Sequence, residues 1–179
     1  NYGFHVGQGA ALAVFENEQT VNRRGVTPKA RLLGAYTASE VCANAIGQSE
    51  GGEGFEKAAL GALKWSETAP GDIAVIKTHG TGTKSNNQAE GAAIGRLFDK
   101  FVATSYKQRI GHTMGASGLL ETCMLVDDMN RGIVPAIANR TEEDDVFLSH
   151  DIDAPKGAIM SMAAGMGNVY SAAVLTTEI

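Results

Sequence analysis

Cysteine is nearly missing: Cys42 and Cys123 are the two in 179 residues. They share no paired or metal-binding spacing, which excludes a disulfide framework and a thiolate metal knuckle and fits a reducing, cytoplasmic compartment. The four histidines (His5, His79, His112, His150) show no zinc spacing either, so no metal is expected. No apolar run approaches the roughly 20 residues that a membrane helix needs. Dense positive charge is also lacking: 15 basic residues stand scattered against 20 acidic ones, for a net charge of −5, which argues against a nucleic-acid partner. Proline is rare at 4 against 22 glycines, so the glycines serve turns and close packing rather than disorder. There is no initiator methionine and no signal-peptide pattern. The chain passes from Asn1-Tyr2-Gly3-Phe4 almost directly into an apolar run, as a piece of something longer would.

What is present suits one domain with a proper core: 44% of the residues are hydrophobic. Gly7 to Glu16 reads as a turn and a buried strand, and residues 17–27 as a polar connection. A second strand is expected at 31–37, then a loop through 39–54 that holds Cys42 as a small half-buried residue. Phe55, Ala59, Ala62 and Leu63 share one helical face over 55–65, which Pro70-Gly71 closes. Residues 73–78 are apolar on both faces, as a central parallel strand is. A helix at 87–98 turns Ile94, Leu97 and Phe98 inward, and a strand follows at 101–106. A helix at 113–130 has Leu120, Cys123, Met124 and Asp127 in register, with Cys123 in the core. Two strands, 158–162 and 172–176, close the chain. Strands alternating with helices predict a largely parallel sheet ending in an antiparallel hairpin.

Two clusters carry chemistry. Ile73-Ala74-Val75-Ile76-Lys77-Thr78 delivers His79 into Gly80-Thr81-Gly82-Thr83, and 33 residues after His79 stands His112, in Ile110-Gly111-His112-Thr113-Met114-Gly115-Ala116-Ser117-Gly118. Each follows a strand, and ligands of open α/β sheets bind at the carboxyl ends of strands. A lone histidine there is more simply a strand cap; two of them, with Lys107, point to one shared site. The threonine hydroxyls on a glycine turn suit amide groups of a ligand. A phosphate loop does not fit, because Thr83 and Thr78 occupy the places where its glycines belong.

His79-Gly80-Thr81-Gly82-Thr83 followed by Glu90, with Ser105-Tyr106-Lys107 and the His112 cluster, resembles the β-ketoacyl-[acyl-carrier-protein] synthase family of the thiolase superfamily. Gly7-Gln8-Gly9-Ala10 is similar to a strand late in that family's N-terminal half, and Gly165-Met166-Gly167-Asn168 to its glycine-rich C-terminal loop. The resemblance implies an α/β, thiolase-like fold. Residues 1–20 would end the N-terminal half, contributing its last strand. Residues 21–179 would form the C-terminal half, a mixed, largely parallel sheet with helices packed on it. It also implies a decarboxylative Claisen condensation of acyl and malonyl groups, in fatty-acid or polyketide synthesis. His79 and His112 match the active-site histidines, Lys107 their supporting lysine, and Thr81 and Thr83 positions that bond the pantetheine arm. No cofactor is implied, because substrates ride on the phosphopantetheine of an acyl carrier protein. The implied partners are that carrier, an N-terminal half bearing the nucleophilic cysteine, and a second ketosynthase subunit in a homodimer or heterodimer.

Departures qualify the match. The family's nucleophilic cysteine lies upstream of these residues, and neither Cys42 nor Cys123 sits in its motif, so the isolated chain is expected to be inactive. Gln8 and Asn87 stand where acidic residues are usual. Ala164 and Met166 replace two phenylalanines, which implies a more open acyl entrance. Alternatives stay open: a chain-length-factor-like partner subunit without condensing activity, a thiolase acting on coenzyme A esters, or a purely structural domain.

Overall fold

A computed structural model describes residues 3–41, 48–138 and 147–179; Cys42 lies outside them. In chain order the elements are α1 (Glu18–Arg24), β1 (Arg31–Ser39), α2 (Glu53–Ser66), β2 (Ile73–Lys77), α3 (Lys84–Leu97), β3 (Val102–Thr104), α4 (Lys107–Ile110), α5 (Ser117–Asn130), β4 (Ile133–Val134), β5 (Ile152–Asp153), β6 (Ala158–Gly165) and β7 (Val169–Thr176). Five strands form one sheet in the order β1-β7-β6-β2-β3, and β4 and β5 form a short pair of their own. β6, β2 and β3 pair in parallel, while β7 runs antiparallel to both β6 and β1. Four of the five strands therefore point one way, as expected of a mixed, largely parallel sheet. The closing hairpin is also as expected, with Gly165 opposite Val169.

Two cores follow from the two faces of β2. Ile73 and Ile76 join Phe55, Ala59 and Ala62 of α2 and Ile94 of α3 on one side. Val75 joins Leu125 and Met129 of α5 on the other. A register shift between Ile73 and Val75 lets neighbouring residues reach different layers. The helical face expected for α2 is the buried one. Of the face expected for α3, Ile94 is buried, Leu97 is half-buried and Phe98 is buried just past the helix end, and α3 also buries Asn86, Ala89, Glu90 and Ala93. α3 begins at Lys84, three residues before the expected start. Thr83 caps it, its hydroxyl accepting the Asn86 N–H at 3.4 Å.

Three expectations need correction. The apolar stretch after Gly9 is not a strand: Leu12, Val14 and Phe15 are 82%, 77% and 70% exposed. A strand is stable only where a neighbour takes its amides, and among the described residues the nearest bridge, Val6 to His112, lies before Gly9. The polar connection at 17–27 holds α1, whose Asn17 side chain caps it through the Thr20 N–H at 2.9 Å and whose end is the left-handed Gly25. The third concerns α5. It starts at Ser117 after a turn of 3₁₀ helix at Met114–Ala116, and the face it buries is Ser117, Glu121, Leu125 and Met129. Asp127 is exposed and pairs with Arg131 at 2.5 Å. Cys123 is half-buried rather than central. A glutamate is a poor guess for the inside of a helix until its counter-charges are known.

Candidate active site

β2 ends in Lys77, and the chain then turns through Thr78 to His79 at the carboxyl edge of the sheet. Glu90 holds that turn from α3. Its carboxylate accepts the His79 N–H at 2.5 Å, the Gly80 N–H at 3.0 Å and the Asn86 side-chain amide at 3.0 Å. Burial pushes the Glu90 carboxyl upward, and the three donors oppose that shift. Gly80 (φ 58°) and Gly82 (φ 76°) are left-handed. A side chain at Gly80 would also strike the Ser105 hydroxyl, and one at Gly82 the Gly3 carbonyl. Thr81 is buried, and its hydroxyl lies 3.1 Å from that of Thr83.

β3 leads through Ser105 and Tyr106 into α4, which opens with Lys107. The Lys107 ammonium is buried and donates to the His79 carbonyl oxygen at 2.5 Å and to Glu121 Oε1 at 2.7 Å. The other carboxylate oxygen of Glu121 takes the ammonium of Lys77 at 3.2 Å. Both flanking lysines and the glutamate are essentially removed from solvent. Burial, then the charge of Lys77, lowers the Lys107 pKa, against the pull of Glu121.

After Gly111 the chain presents His112. The Met114 N–H donates to His112 Nδ1 at 3.0 Å, and the Ser117 hydroxyl lies 3.0 Å from the same nitrogen. A nitrogen that accepts a main-chain N–H carries no proton. In the neutral ring the proton therefore sits on Nε2, which is a donor. Met114 reaches this position at φ 54°, a conformation costing about 1–3 kcal/mol in a residue with a side chain.

The two imidazoles meet: their centroids are 5.7 Å apart and their planes stand at 81°. Burial first, then the charges of Lys107, Lys77 and His112, bring the His79 pKa down to about 2. Burial and Lys107 lower that of His112 as well, with Glu121 opposing. Both rings are thus neutral at ordinary pH. His79 Nδ1 is buried without a partner among the described residues. A segment near the start of the chain clasps both loops through its backbone. The Gly3 N–H donates to the Gly82 carbonyl at 2.9 Å, the His112 N–H to the His5 carbonyl at 2.8 Å, and the Gly7 N–H to the His112 carbonyl at 3.0 Å. Phe4 stacks edge-on against His112, with centroids 5.0 Å apart.

The structure thus unites His79, Lys107 and His112 with Thr81 and Thr83, as their sequence context suggests. Ala164 lies on β6, half-buried against the α2 core, and Met166 is 81% exposed at the tip of the β6–β7 hairpin, beyond the edge from which His79 emerges. Sequence reasoning missed Glu121, Lys77, Ser117 and Phe4 as parts of the site. The available signal was Lys77 itself: a lysine inside an otherwise apolar central strand requires a buried carboxylate. A cleft of about 1400 Å³ lies elsewhere, beside α5, and its lining includes Val14, Phe15, Leu119, Cys123 and Val126. Its walls are mainly apolar and none of the motif residues reaches it.

No helix among the described residues is long and apolar enough to cross a membrane. Residues 29–141 match the C-terminal domain of β-ketoacyl synthases. The chain is 31% identical, over 97% of its length, to the tetracenomycin polyketide synthase ketoacyl synthase alpha subunit of Streptomyces glaucescens, and spans 42% of that relative. Among solved structures it is similar to the ishigamide ketosynthase/chain length factor (TM-score 0.90, 24% identity, 99% of this chain and 45% of that one). It is also similar to the ketosynthase ApeO in complex with its chain length factor ApeC from Xenorhabdus doucetiae (TM-score 0.75, 26% identity, 84% and 39%).

Proposed function

The chain belongs to the β-ketoacyl synthase family, and on that premise we propose that it supplies the decarboxylating side of a ketosynthase active site. The observation that carries this reading is the pair of neutral imidazoles at the mouth of one sheet, with an Nε2–H assigned to His112. In the proposed reaction, a cysteine thiolate outside these 179 residues first takes an acyl group from a carrier protein. A malonyl thioester on a second carrier then loses CO₂. The bond between its C2 and the carboxylate breaks, and the electron pair passes into an enolate. N–H groups of His79 and His112 hold the enolate oxygen. Preorganised donors of this kind are typically worth about 2.7–4 kcal/mol each. C2 then attacks the acyl thioester carbonyl, and collapse of the adduct expels the thiolate. Thr81 and Thr83 receive the pantetheine arm, and Ala164 and Met166 leave the acyl entrance open. By themselves, the 179 residues are expected to form no acyl-enzyme.

The test uses the native protein containing this chain. His79→Ala and His112→Ala should each lower CO₂ release from malonyl carrier about 10²–10³-fold. Unchanged release in both variants would rule the reading out. A non-condensing chain-length-factor role is the second reading, suggested by Asn87, which is exposed on the first turn of α3 where an acidic residue is usual. The assembled His79, Lys107 and His112 favour the first.

A further inference from the structure

Lys77 belongs to a buried network with Lys107 and Glu121 that stands behind the reacting groups, and it does not itself touch the main chain of either histidine, as Lys107 touches that of His79. It ends β2 fully buried, with Nζ 3.2 Å from Glu121 Oε2. Lys107 and Glu121 would already make a neutral pair, so a second lysine is not needed to balance that pair's charge. Burying another ammonium in a sheet is costly, and an apolar side chain would continue the pattern of Ile73, Val75 and Ile76. What Lys77 changes is the attitude of the carboxylate. Glu121 offers one oxygen to each lysine, and the two donors reach it from different elements, β2 and α4. Without Lys77, Oε2 would be a buried acceptor without a donor. The simplest remedy is rotation of the carboxylate until both oxygens face Lys107. That rotation draws the ammonium away from the His79 carbonyl, which it now meets at 2.5 Å.

We propose that Lys77 is a positioning residue: by occupying Oε2 of Glu121 it aims Oε1 at Lys107, and so holds Lys107 on the main chain of His79. This rests on the decarboxylation reading above. It predicts a loss in turnover rather than in binding, because Lys77 is buried behind the turn and is given no contact with substrate.

The experiment measures CO₂ release from malonyl carrier by the native protein with Lys77→Met, Lys77→Gln and Lys77→Asn, with the His79→Ala and His112→Ala variants alongside. Lys77→Met should lower kcat about tenfold with KM unchanged, the scale of a lost supporting partner. Lys77→Gln, whose amide can still donate to Oε2, should recover to within about threefold of the parent. Lys77→Asn, one methylene shorter, should not recover. If the methionine variant does not fold, the glutamine and asparagine pair decides the matter. A folded Lys77→Met at full kcat, or glutamine no better than asparagine, overturns the proposal. If the histidine variants lose activity while all three Lys77 variants keep it, this inference alone fails. If the histidine variants also keep it, the underlying reading fails with it.

Discussion

Replacing Glu121 by glutamine tests the centre of the network. The side chain is wholly buried, and its oxygens meet two ammonium groups at 2.7 and 3.2 Å that are themselves removed from water. Glutamine keeps the shape but removes the charge. It also turns an NH₂ toward one of the two lysines, setting donor against donor. Breaking a buried pair by neutralising one member costs about 3–5 kcal/mol, because the remaining charge is left uncompensated. At about 2–4 °C of Tm per kcal/mol for a domain of this size, the expected loss is about 6–20 °C, read by thermal unfolding of the native protein. Adding Lys77→Met to Glu121→Gln removes one of the stranded cations and should recover part of that loss. A Tm within about 2 °C of the parent for Glu121→Gln alone would refute the view that this carboxylate is the shared counter-charge of Lys77 and Lys107.

Two further outcomes are expected. Unfolded histidine takes up a proton near pH 6.5, whereas folded His79 resists it down to about 2. Its contribution to stability is therefore whole above pH 6.5 and is lost as pH falls from there toward 2, with a slope of up to about 1.4 kcal/mol per pH unit. Glu90, raised by burial, binds its proton more readily when folded and offsets part of that loss. The comparison of parent with His79→Gln isolates the histidine: urea midpoints should fall more steeply on acidification in the parent, and parallel curves would contradict the assignment. On the proposed reading that Ala164 and Met166 leave the acyl entrance open, an acyl-chain series offered to the native protein should be turned over beyond short saturated chains, and a profile confined to those would show that the entrance is not widened.

The central sheet and the face of α2 could be read in advance because apolar spacing alone decides them: Phe55, Ala59, Ala62 and Leu63 are buried where period and composition agree, whereas α3 buries Asn86 and Glu90 beside Ile94. The same logic misplaced the inner face of α5. That face contains Glu121, whose burial depends on lysines 44 and 14 residues earlier in the chain. Local pattern carries no information about such long-range neutralisation. The stretch after Gly9 has the composition of a buried strand without a sheet edge beside it among the described residues. The histidine pair was legible because His79 follows β2 and His112, past α4, follows β3, two adjacent strands of the same sheet. The tautomer of His112 was not, since it depends on how the Met114 amide turns.

The clasp of residues 3–7 has a different kind of consequence. It joins the Gly82 turn to the His112 loop through main-chain groups, so what it fixes is spacing. Apart from Gly3, which is left-handed, and Gly7, where a methyl would collide with the Ile110 carbonyl, side chains along it can change without altering those bonds. Lengthening or shortening the segment by one residue cannot be absorbed in the same way, because the three anchors would fall out of step. The separation of the two imidazoles is thus written partly as a count of peptide units, a form of information that substitution leaves intact and insertion erases.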